Sequence, residues 1–551
     1  MKVARNNERN EKMLEMLEER LEKLRKILLA EKSRIEREIL SRERFSGEVL
    51  EEVGDFSILK LERKVEPGTF LGYFSDSKVH PYGFVVDSSG KVVMVKKAVS
   101  ESENPEIFVE AESTTLYDVQ LELIDAFDPN SVKPFSGSEN ETFVPKNELD
   151  EWQSKALSAT LSLNDREFLL VVGPPGTGKT RFISVASKLL GRKGRILVTA
   201  HTNRAVDNVI EKLEPGFAVR LGYPFKLSPE VRKHAVETLS LKILSERRSA
   251  GDVVEILKEA ERRVRKLLAE AKVVGATLMK CALTPYPLHE FEYAFVDEAS
   301  QATIAEALAG LMYAKKVVLV GDPNQLPPVL SCRNPEQFSA FNFFSSLSDH
   351  TFWLRNHYRS DPEIIGFSAK YVYGGKLIPK SQKNRLTFDK TPERFRKILD
   401  PEKPAVFVAV RGEEERINST KLNRTEAAVC AGICSEFLEC GISDIAVITP
   451  YLGQKKLLES IGKLEVEINT VDAFQGREKD VVVFSSVSTR DLSFSSERRR
   501  FNVAVTRAKK KLIVLANPSA FRLRKNRKTL LYSYFLYARE RNAVFSCGFN
   551  G

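Results

Sequence analysis

Residues 168–190 read FLLVVGPPGTGKTRFISVASKLL, and this stretch decides the fold of the chain. The apolar run FLLVV ends at the glycine-rich loop GPPGTGKT, and a helical pattern follows at once. Glycines let backbone N–H groups curl around phosphate oxygens, and the N-terminus of the next helix adds a favourable dipole. The stretch therefore predicts a strand, a phosphate-binding P-loop and a helix. The predicted nucleotide-binding residues are Gly173, Pro174, Pro175, Gly176, Thr177, Gly178, Lys179 and Thr180.

Two further motifs supply the groups that a P-loop needs for phosphate chemistry. Lys179 is expected to reach the β- and γ-phosphates, and Thr180 to hold Mg²⁺. In YAFVDEASQ an apolar strand ends in two acids, so Asp297 is predicted to complete the Mg²⁺ shell and Glu298 to orient or deprotonate the attacking water. In KVVLVGDPNQLPPV, Gln325 can donate to a γ-phosphate and accept from a water. A glutamine merely solvated in a turn is the plain alternative for that residue.

Short Val, Ile and Leu runs alternate with helical stretches through the rest of the chain after the loop. Continuous apolar strands separated by helices are typical of parallel sheets covered on both faces. There are enough runs for two such sheets, so the predicted class is α/β. The runs are FLLVV, ILVTA, YAFVD, KVVLV, AVFVAV, IAVIT, VVVFSSV and KLIVLA.

The N-terminal part of the chain has a different pattern. Residues 8–44 predict one long helix, because leucines at 14, 17, 21, 24 and 28 recur at steps of three and four. Such a stripe needs a partner: a second copy, a coiled coil with another protein, or the chain's own body, which we favour. Residues 46–128 alternate with a period of two in FSILKLERK, FVVDSSGKVVMVKK and LYDVQLELIDAF, which predicts a small antiparallel sheet or barrel. Residues 129–147 carry no periodicity and indicate a linker.

Composition limits the class of protein further. The 551 residues include 85 Lys and Arg against 75 Asp and Glu, a net charge of +10, and the length predicts several domains. No apolar run approaches a membrane span, and the charged N-terminus does not resemble a secretory signal, so we expect a cytoplasmic protein without a membrane partner. The six cysteines form no CxxC pair. Three of them lie in RTEAAVCAGICSEFLEC, whose spacing fits the buried side of a helix better than an iron–sulfur site.

Taken together, the motifs resemble those of superfamily 1 helicases, in particular the up-frameshift-type group related to nonsense-mediated decay and immunoglobulin-switch-region helicases. The resemblance covers residues 149–517 and implies two tandem RecA-like parallel-sheet domains, an inserted small β-barrel and a long N-terminal stalk helix. It also implies a nucleic-acid-stimulated ATPase with ATP and Mg²⁺ as cofactors. The motifs that carry it are GPPGTGKT, AHTNRAVDN, DEASQ, GDPNQLPP, NHYRSDPEI, TPYLGQ, TVDAFQGREKD and RRRFNVAVTRAK.

The resemblance assigns further residues to the nucleotide. It implies that Gln153 reads the adenine and that Tyr358 stacks on the base. Arg359 and Arg507 resemble the two arginines that reach the γ-phosphate from the second domain, where a guanidinium stabilises the transferring phosphoryl group. Glu478 resembles another contact on the nucleotide side. Taken singly, each arginine would more often be a surface ion-pair partner.

Other motif residues resemble contacts to one nucleic-acid strand. Thr202, Asn203, Thr277, Tyr451 and Thr470 offer hydroxyls, an amide and an aromatic ring to phosphates and bases. Capping of local turns is the alternative for each of them. The run RLRKNRK at 522–528 either follows a strand backbone or is an ordinary solvated helix face.

The chain departs from the family in three places. Where members have QYRMHP, this chain has HYRSDP, which leaves Arg359 in place and puts His357 for Gln and Asp361 for His, two positions that bear on the adenine and interdomain contacts. A Cys/His-rich regulatory domain and a nuclease domain are both missing from the sequence, so we expect a minimal motor. The expected divisions are a stalk at 1–45, a barrel at 46–128, a linker at 129–148, a first RecA-like domain at 149–335 with a helical insertion near 216–272, and a second at 336–551.

The expected activity is movement along single-stranded DNA or RNA and through duplex junctions. ATP is expected to bind between the two sheets, so that hydrolysis opens the cleft and alternates the grip on the strand. The family implies 5′→3′ travel on a single strand, and packing of the N-terminal stripe on the chain's own body predicts a monomer. An ATP-gated clamp or protein-displacing remodeller is the alternative, as is an assembly built on the N-terminal stripe. The sequence does not discriminate DNA from RNA.

Overall fold

The computed structural model describes most of the residues of the chain. They are 2–53, 56–76, 78–97, 105–111, 114–137, 148–222, 226–236, 262–284, 288, 290–461 and 465–547. Parts of the predicted linker and of the predicted helical insertion lie outside the described residues.

The chain begins with the helix α1 (Lys2–Leu40), which ends four residues before the predicted end. Its leucine stripe is buried: Leu17 and Leu24 are about 1% exposed or less, and they belong to the same core as the first large sheet. Farther along, Ile35 and Ile39 pack against Val109 of the next domain. Arg20 Nη1 also donates to the Gln337 carbonyl at 2.8 Å. The stripe thus packs on the chain's own body, as we favoured.

A closed antiparallel barrel follows, built from six strands among the described residues in the order β1-β2-β5-β4-β3-β6. Alternate residues of β2 point inward, so the period of two in FSILKL is confirmed. Along the chain the barrel precedes every strand of the first large sheet. The strands are β1 (Arg44–Val53), β2 (Phe56–Leu61), β3 (Phe70–Ser75), β4 (Lys78–Ser89), β5 (Val92–Lys97) and β6 (Ile107–Ala111).

The third segment assigned to the barrel was predicted wrongly. LYDVQLELIDAF forms the helix α2 (Thr115–Ala126) instead of a strand. Its buried residues are Gln120 and Leu123, and the C-cap residue Phe127 is buried as well; they are spaced by three and four, so the helical period decides which face is covered. That face packs on α1 and on the later helix 304–313, where Thr303 Oγ1 donates to Gln120 Oε1 at 3.1 Å. A tertiary neighbour therefore overrides the local alternation.

The first large sheet is parallel throughout its described strands, in the order β10-β11-β9-β12-β13-β8-β14, with β7 added beside β8. All six residues of β8 are buried, which confirms the prediction of a sheet covered on both faces. The strands are β7 (Lys133–Pro134), β8 (Glu167–Val172), β9 (Ile196–Ala200), β10 (Ala218–Arg220), β11 (Val273–Thr277), β12 (Phe291–Asp297), β13 (Ala314–Gly321) and β14 (Thr351–Trp353).

This sheet corrects three predicted boundaries. The strand β7 lies in the segment predicted as a linker, β10 lies in the segment predicted as a helical insertion, and β14 lies beyond the predicted end of the first domain at residue 335. All three are short strands at or near the sheet edges, and two or three residues give no periodicity for sequence analysis to detect. Residues 262–270 are helical, as predicted, with Val264 and Leu268 buried and the charged residues exposed.

A second parallel sheet follows in the order β21-β20-β22-β23-β17-β24 within the described part of the chain. Before it, β15 (Asn356–His357) pairs with β16 (Ile378–Pro379), and a hairpin of β18 (Glu415–Ile417) and β19 (Thr420–Leu422) lies beside it. The sheet strands are β17 (Ala405–Val410), β20 (Ile445–Thr449), β21 (Glu467–Thr470), β22 (Lys479–Ser485), β23 (Ala508–Ala516) and β24 (Val544–Cys547). The two α/β sheets form tandem RecA-like units.

Helices cover both sheets. Cys430 and Cys434 are fully buried on α11, which confirms the helical prediction for that segment. No helix among the described residues is long and apolar enough to cross a membrane. The further helices are α3 (Glu151–Leu161), α4 (Lys179–Leu190), α5 (Asn203–Ile210), α6 (Leu278–Leu283), α7 (Ile304–Tyr313), α8 (Ala340–Leu347), α9 (Pro362–Tyr371), α10 (Arg396–Leu399), α11 (Arg424–Glu439), α12 (Leu452–Ser460), α13 (Arg498–Val505) and α14 (Leu530–Glu540).

Candidate nucleotide site and nucleic-acid interface

The glycine-rich loop joins the buried strand β8 to helix α4, as the sequence predicts. Gly176 and Gly178 adopt positive φ of 72° and 80°, which an L side chain rarely adopts. Gly178 is the N-cap of α4 and supplies no side-chain cap, so the first amides of the helix remain available to an anion. Lys179 Nζ donates to the Gly173 carbonyl at 2.9 Å and lies 3.6 Å from Glu298 Oε1. The loop has the geometry of a phosphate cradle.

The two acids of DEAS lie at the carboxyl end of β12, two strands away from the loop. Asp297 Oδ1 accepts from the Glu298 backbone N–H at 2.9 Å, and Glu298 has a φ of 50°. Burial and the Glu298 carboxylate raise the pKa of Asp297 to about 7. Burial alone would raise the pKa of Glu298, but the Lys179 and Arg507 charges outweigh it and lower that pKa. Glu298 is therefore ionised, whereas burial and the neighbouring Glu298 charge disfavour the charged form of Asp297.

Gln325 connects the two sheets. Its Nε2 donates to Asp322 Oδ2 at 3.1 Å, and its Oε1 accepts from Arg507 Nη2 at 3.4 Å. Arg507 also donates from Nε to the Val503 carbonyl at 3.0 Å. Burial, followed by the charge of Arg359, lowers the pKa of Arg507 to about 10, so the guanidinium stays charged at neutral pH. A fixed buried cation thus faces the P-loop from the second sheet.

Arg359 is placed beside the loop by its neighbours. The Tyr358 N–H donates to the Gly176 carbonyl at 2.9 Å, which ties this segment to the P-loop. Arg359 Nε forms an ion pair with Glu478 Oε2, and Lys509 Nζ approaches the other oxygen of Glu478 at 3.9 Å. Glu478 therefore orients Arg359, and it does not line the cavity between the two sheets.

A cavity of about 290 Å³ lies between the two sheets. Its walls bring together the predicted residues Lys179, Thr180, Asp297, Glu298, Gln325, Arg359 and Arg507. One wall comes from the carboxyl edge of the first sheet. The other comes from Arg359, just before α9, and from segments that precede β22 and β23 of the second sheet. Residues from distant motifs thus converge on one polar space.

The two residues assigned to the adenine lie next to this cavity and share a partner. Gln153 Nε2 donates to the Thr177 carbonyl at 3.0 Å, and its Oε1 accepts from the Asp150 N–H at 3.2 Å. The Tyr358 hydroxyl donates to Asp150 Oδ2 at 2.7 Å, and the tyrosine is 48% exposed. The exposed ring is available for stacking, whereas both ends of the Gln153 amide are held by the protein.

His357, one of the residues that depart from the family pattern, packs directly on the loop. Its Nδ1 donates to the Pro175 carbonyl at 2.7 Å, and its Nε2 accepts from the Ser360 N–H at 2.8 Å. Both bonds require the neutral ring with its proton on Nδ1. Burial and the Arg359 charge lower the pKa of His357 to about 3. The motif HYRSDP showed that this residue differs from the family pattern, but it did not reveal the contact with the loop.

Several cavity residues escaped the sequence analysis. Arg204 and Asn208 lie one turn apart on α5 and both face the cavity, as do Gln301, Gln475 and Arg477. The i, i+4 spacing of a cation and an amide inside AHTNRAVDN was the available signal for the first pair. Gln301, Gln475 and Arg477 lie in motifs in which the sequence analysis assigned roles only to neighbouring residues.

The residues assigned to a nucleic-acid strand lie where parallel strands end, and most have local roles. Thr202 and Thr277 cap helices α5 and α6 by accepting from Ala205 N and Lys280 N, each at 3.3 Å. The Thr470 hydroxyl accepts from Ala473 N at 3.4 Å. Thr202 also lines the nucleotide cavity. The capping alternative therefore describes all three threonines, although a capping hydroxyl can still donate to a phosphate.

The structure does not support Tyr451 as an open stacking platform. The side chain is only 8% exposed, and its hydroxyl is 2.7 Å from Ser488 Oγ. Its ring lies 5.2 Å from that of Phe494, which is 44% exposed. The predicted aromatic is thus mostly covered, because the loop after β22 folds over it.

The fold and the site define a P-loop nucleotide-binding protein with two RecA-like sheets around one polar cavity. Family models described as AAA domain match residues 148–250 and 234–332, and another so described matches 337–519, which together exceed half of the chain. DNA polymerase alpha-associated DNA helicase A of Schizosaccharomyces pombe is 31% identical over 67% of this chain and 64% of its own. ATP-dependent helicase upf1 of the same organism is 32% identical over 72% of this chain and 47% of its own.

The chain belongs to the Upf1-like group of superfamily 1 helicases. An uncharacterized ATP-dependent helicase of Methanocaldococcus jannaschii is a further relative, 28% identical over 66% of this chain and 67% of its own. The chain spans from about a quarter to about two thirds of the length of such curated relatives. Arterivirus nonstructural protein 10 (helicase) with DNA is a structural neighbour at 15% identity and a TM-score of 0.40 over 83% of this chain and 78% of that one, a likeness too weak to bear on this site. Membership of an ATP-dependent family implies ATP use.

Proposed function

We propose that this protein is an ATP-dependent helicase or translocase that moves 5′→3′ on single-stranded DNA or RNA. The observation that carries the proposal is the shared cavity, where Lys179 of the first sheet and Arg359 and Arg507 of the second line one space. A γ-phosphate there would touch both units. Its release would remove the contact that holds them together, so the nucleotide state would set the separation of the sheets.

The residues of the cavity fit a Mg²⁺-bound triphosphate. Mg²⁺ prefers hard oxygen ligands, and Thr180 and Asp297 offer a hydroxyl and a buried carboxyl group. A bound cation there would offset the burial and the Glu298 charge that raise the pKa of Asp297. When bound, the metal would neutralise phosphate charge. Lys179 Nζ donates one N–H to the Gly173 carbonyl, and its ammonium has two further N–H donors that would bind phosphate oxygens.

Hydrolysis would then depend on residues already held in place. Glu298 is ionised and accepts from Gln301 Nε2 at 3.1 Å, so it is oriented to align or deprotonate an attacking water. Gln325 would relay the state of the γ-phosphate to the second sheet through its bond to Arg507. Arg507 would stabilise the charge on the transferring group.

The decisive experiment measures phosphate release with and without single strands for Lys179→Ala and Glu298→Gln. We expect strand-stimulated release to fall by about 10³-fold or more in each, because each removes a group that acts on the phosphates or on the attacking water. Lys188→Ala, an exposed lysine on the same helix, is the matched control and should behave as wild type. Stimulated release that persists in both site variants would refute the nucleotide assignment.

A second experiment separates translocation from gripping alone. Unwinding is measured side by side on matched DNA and RNA duplexes with 5′ or 3′ tails, together with single-molecule tracking. Advance from the 5′ tail supports the proposal and reports the preferred polymer. ATP-dependent locking without net movement would instead identify a clamp or a protein-displacing remodeller.

The proposal includes a monomer in the cytoplasm. Burial of the α1 leucine stripe against the chain's own cores supports the monomer, because that stripe is then unavailable to a second copy. Light scattering of the full chain tests it directly, and a dimer mass at micromolar concentration would contradict it.

A further inference from the structure

Arg220, near the edge of the first sheet, has a fully buried guanidinium group whose Nε, Nη1 and Nη2 atoms all donate hydrogen bonds. It is 0% exposed. Its Nε donates to Asp207 Oδ1 at 2.8 Å, its Nη2 donates to Asn203 Oδ1 at 2.8 Å, and its Nη1 donates to the Leu221 carbonyl. A buried charge is costly unless it is paired and hydrogen-bonded, and here both conditions are met.

These bonds fix the orientation of the Asn203 amide. Arginine carries donors only, so the asparagine must present its oxygen to Arg220. The Nδ2 group, with its two N–H donors, is therefore turned away from Arg220. No hydrogen-bond partner for Nδ2 is found among the described residues, and the side chain is half-buried. The amide thus offers donors, and no acceptor, to whatever approaches this surface.

Asp207 holds the arginine in place from the same helix. It lies one turn after Asn203 on α5, so both side chains project from the same face toward β10. Its second oxygen, Oδ2, accepts from the Ser228 N–H at 2.9 Å. Arg204 and Asn208 project from the adjacent face into the nucleotide cavity. One helix therefore contacts the nucleotide on one face and positions Asn203 with the other.

We propose that Arg220, fixed by Asp207, is a positioning residue that turns the donor end of the Asn203 amide toward a phosphate oxygen of a bound single strand. The proposal rests on the nucleic-acid function proposed above. Asn203 begins α5 directly after β9, at the edge where the neighbouring strand β11 ends at Thr277. A donor-only amide suits a phosphate, which accepts and never donates. It gives affinity without selecting a base.

Asn203→Asp separates this role from a purely structural one. An aspartate keeps the acceptor for Arg220 and strengthens that bond, because the pair becomes charge-assisted. It removes both donors of Nδ2. We therefore expect the midpoint of thermal unfolding to be unchanged or higher, and the affinity for a fluorescein-labelled oligothymidine to fall about tenfold or more, as loss of a hydrogen bond to a charged group implies.

Lys212→Gln is the matched control, because it makes the same change of −1 in net charge at an exposed residue just after α5 that does not line the nucleotide cavity. Anisotropy titrations are made without nucleotide, and we expect this control to weaken binding much less. Equal weakening by both variants, or wild-type affinity in Asn203→Asp, overturns the inference. Arg220→Lys provides a second test. The lysine can keep an ion pair with Asp207, but it lacks the Nη2 group that donates to Asn203, so the affinity for the single strand should fall.

The two proposals fail in different ways. A wild-type protein that binds no single strand at all refutes the proposed function, and this inference with it. A wild-type protein that binds strands tightly while Asn203→Asp binds equally well refutes only the role of Arg220.

Discussion

Replacing His357 with glutamine should remove an acid-sensitive element from the folded protein. The folded chain holds this ring neutral, with a pKa of about 3, whereas an unfolded histidine titrates near pH 6.5. Below pH 6.5 the unfolded chain therefore binds a proton that the folded chain does not, so stability falls as the pH falls. A pH of 5.0 lies about 1.5 units below the pKa of the unfolded histidine. The proton that only the unfolded chain binds therefore lowers the free energy of unfolding at that pH by about 2 kcal/mol.

Glutamine can replace both hydrogen bonds of the imidazole without titrating. Its amide can donate to the Pro175 carbonyl and accept from the Ser360 N–H. Thermal unfolding at pH 7.5 and pH 5.0 measures the difference. We expect wild type to lose about 4–8 °C more than His357→Gln over this interval, if the unfolding unit has the size of one RecA-like domain.

The comparison between variants cancels other groups whose titration is unchanged, including the buried acids Asp297 and Glu426, whose pKa values are raised to about 7. His350→Gln, an exposed histidine, serves as the control and should follow wild type. Equal losses for wild type and His357→Gln would show that the ring is not held neutral against the loop, and would refute the reasoning.

Four further outcomes are expected. Arg507→Lys should lower kcat by about 10³-fold in ATPase assays while nucleotide affinity changes little, because lysine cannot reproduce the planar set of donors. Gly176→Ala should weaken nucleotide binding measured by calorimetry, since its φ is 72° and a Cβ would lie 2.4 Å from His357 Cε1. Leu24→Ala should cost about 2–5 kcal/mol in denaturant unfolding, as it empties a buried site on α1. Single-strand affinity should fall with salt at a log–log slope of about 0.7 per phosphate contacted, and a flat response would exclude an electrostatic groove.

Much of the fold was predictable because its signals are local. The run FLLVV before the glycine-rich loop and the repeated apolar strands specify parallel sheets covered on both faces. The leucine stripe of α1 and the period of two in β2 were equally readable. Failures occurred where the signal was short or ambiguous: β7, β10 and β14 have two or three residues each, and LYDVQLELIDAF fits two periods.

The candidate site divides in the same way. Motif spacing identified the lysine, the acids and the arginines that line the cavity, because their chemistry is tied to particular residue types at strand ends. It could not show that Tyr451 is covered by the loop after β22, or that Glu478 pairs with Arg359. Those outcomes depend on segments far apart in sequence that meet only in the folded chain.

The sequence by itself determined the elements and the chemical groups of this protein: strand, phosphate loop and helix, with acids and cations in a fixed order. Tertiary structure alone decided the partners. Packing made residues 115–126 a helix and placed the neutral His357 ring against the loop. It also brought Arg220 opposite the Asn203 amide, which fixes the orientation of that amide. The physical reason is that periodicity records which side of an element is apolar, whereas the direction of a hydrogen bond depends on which donor lies opposite after packing.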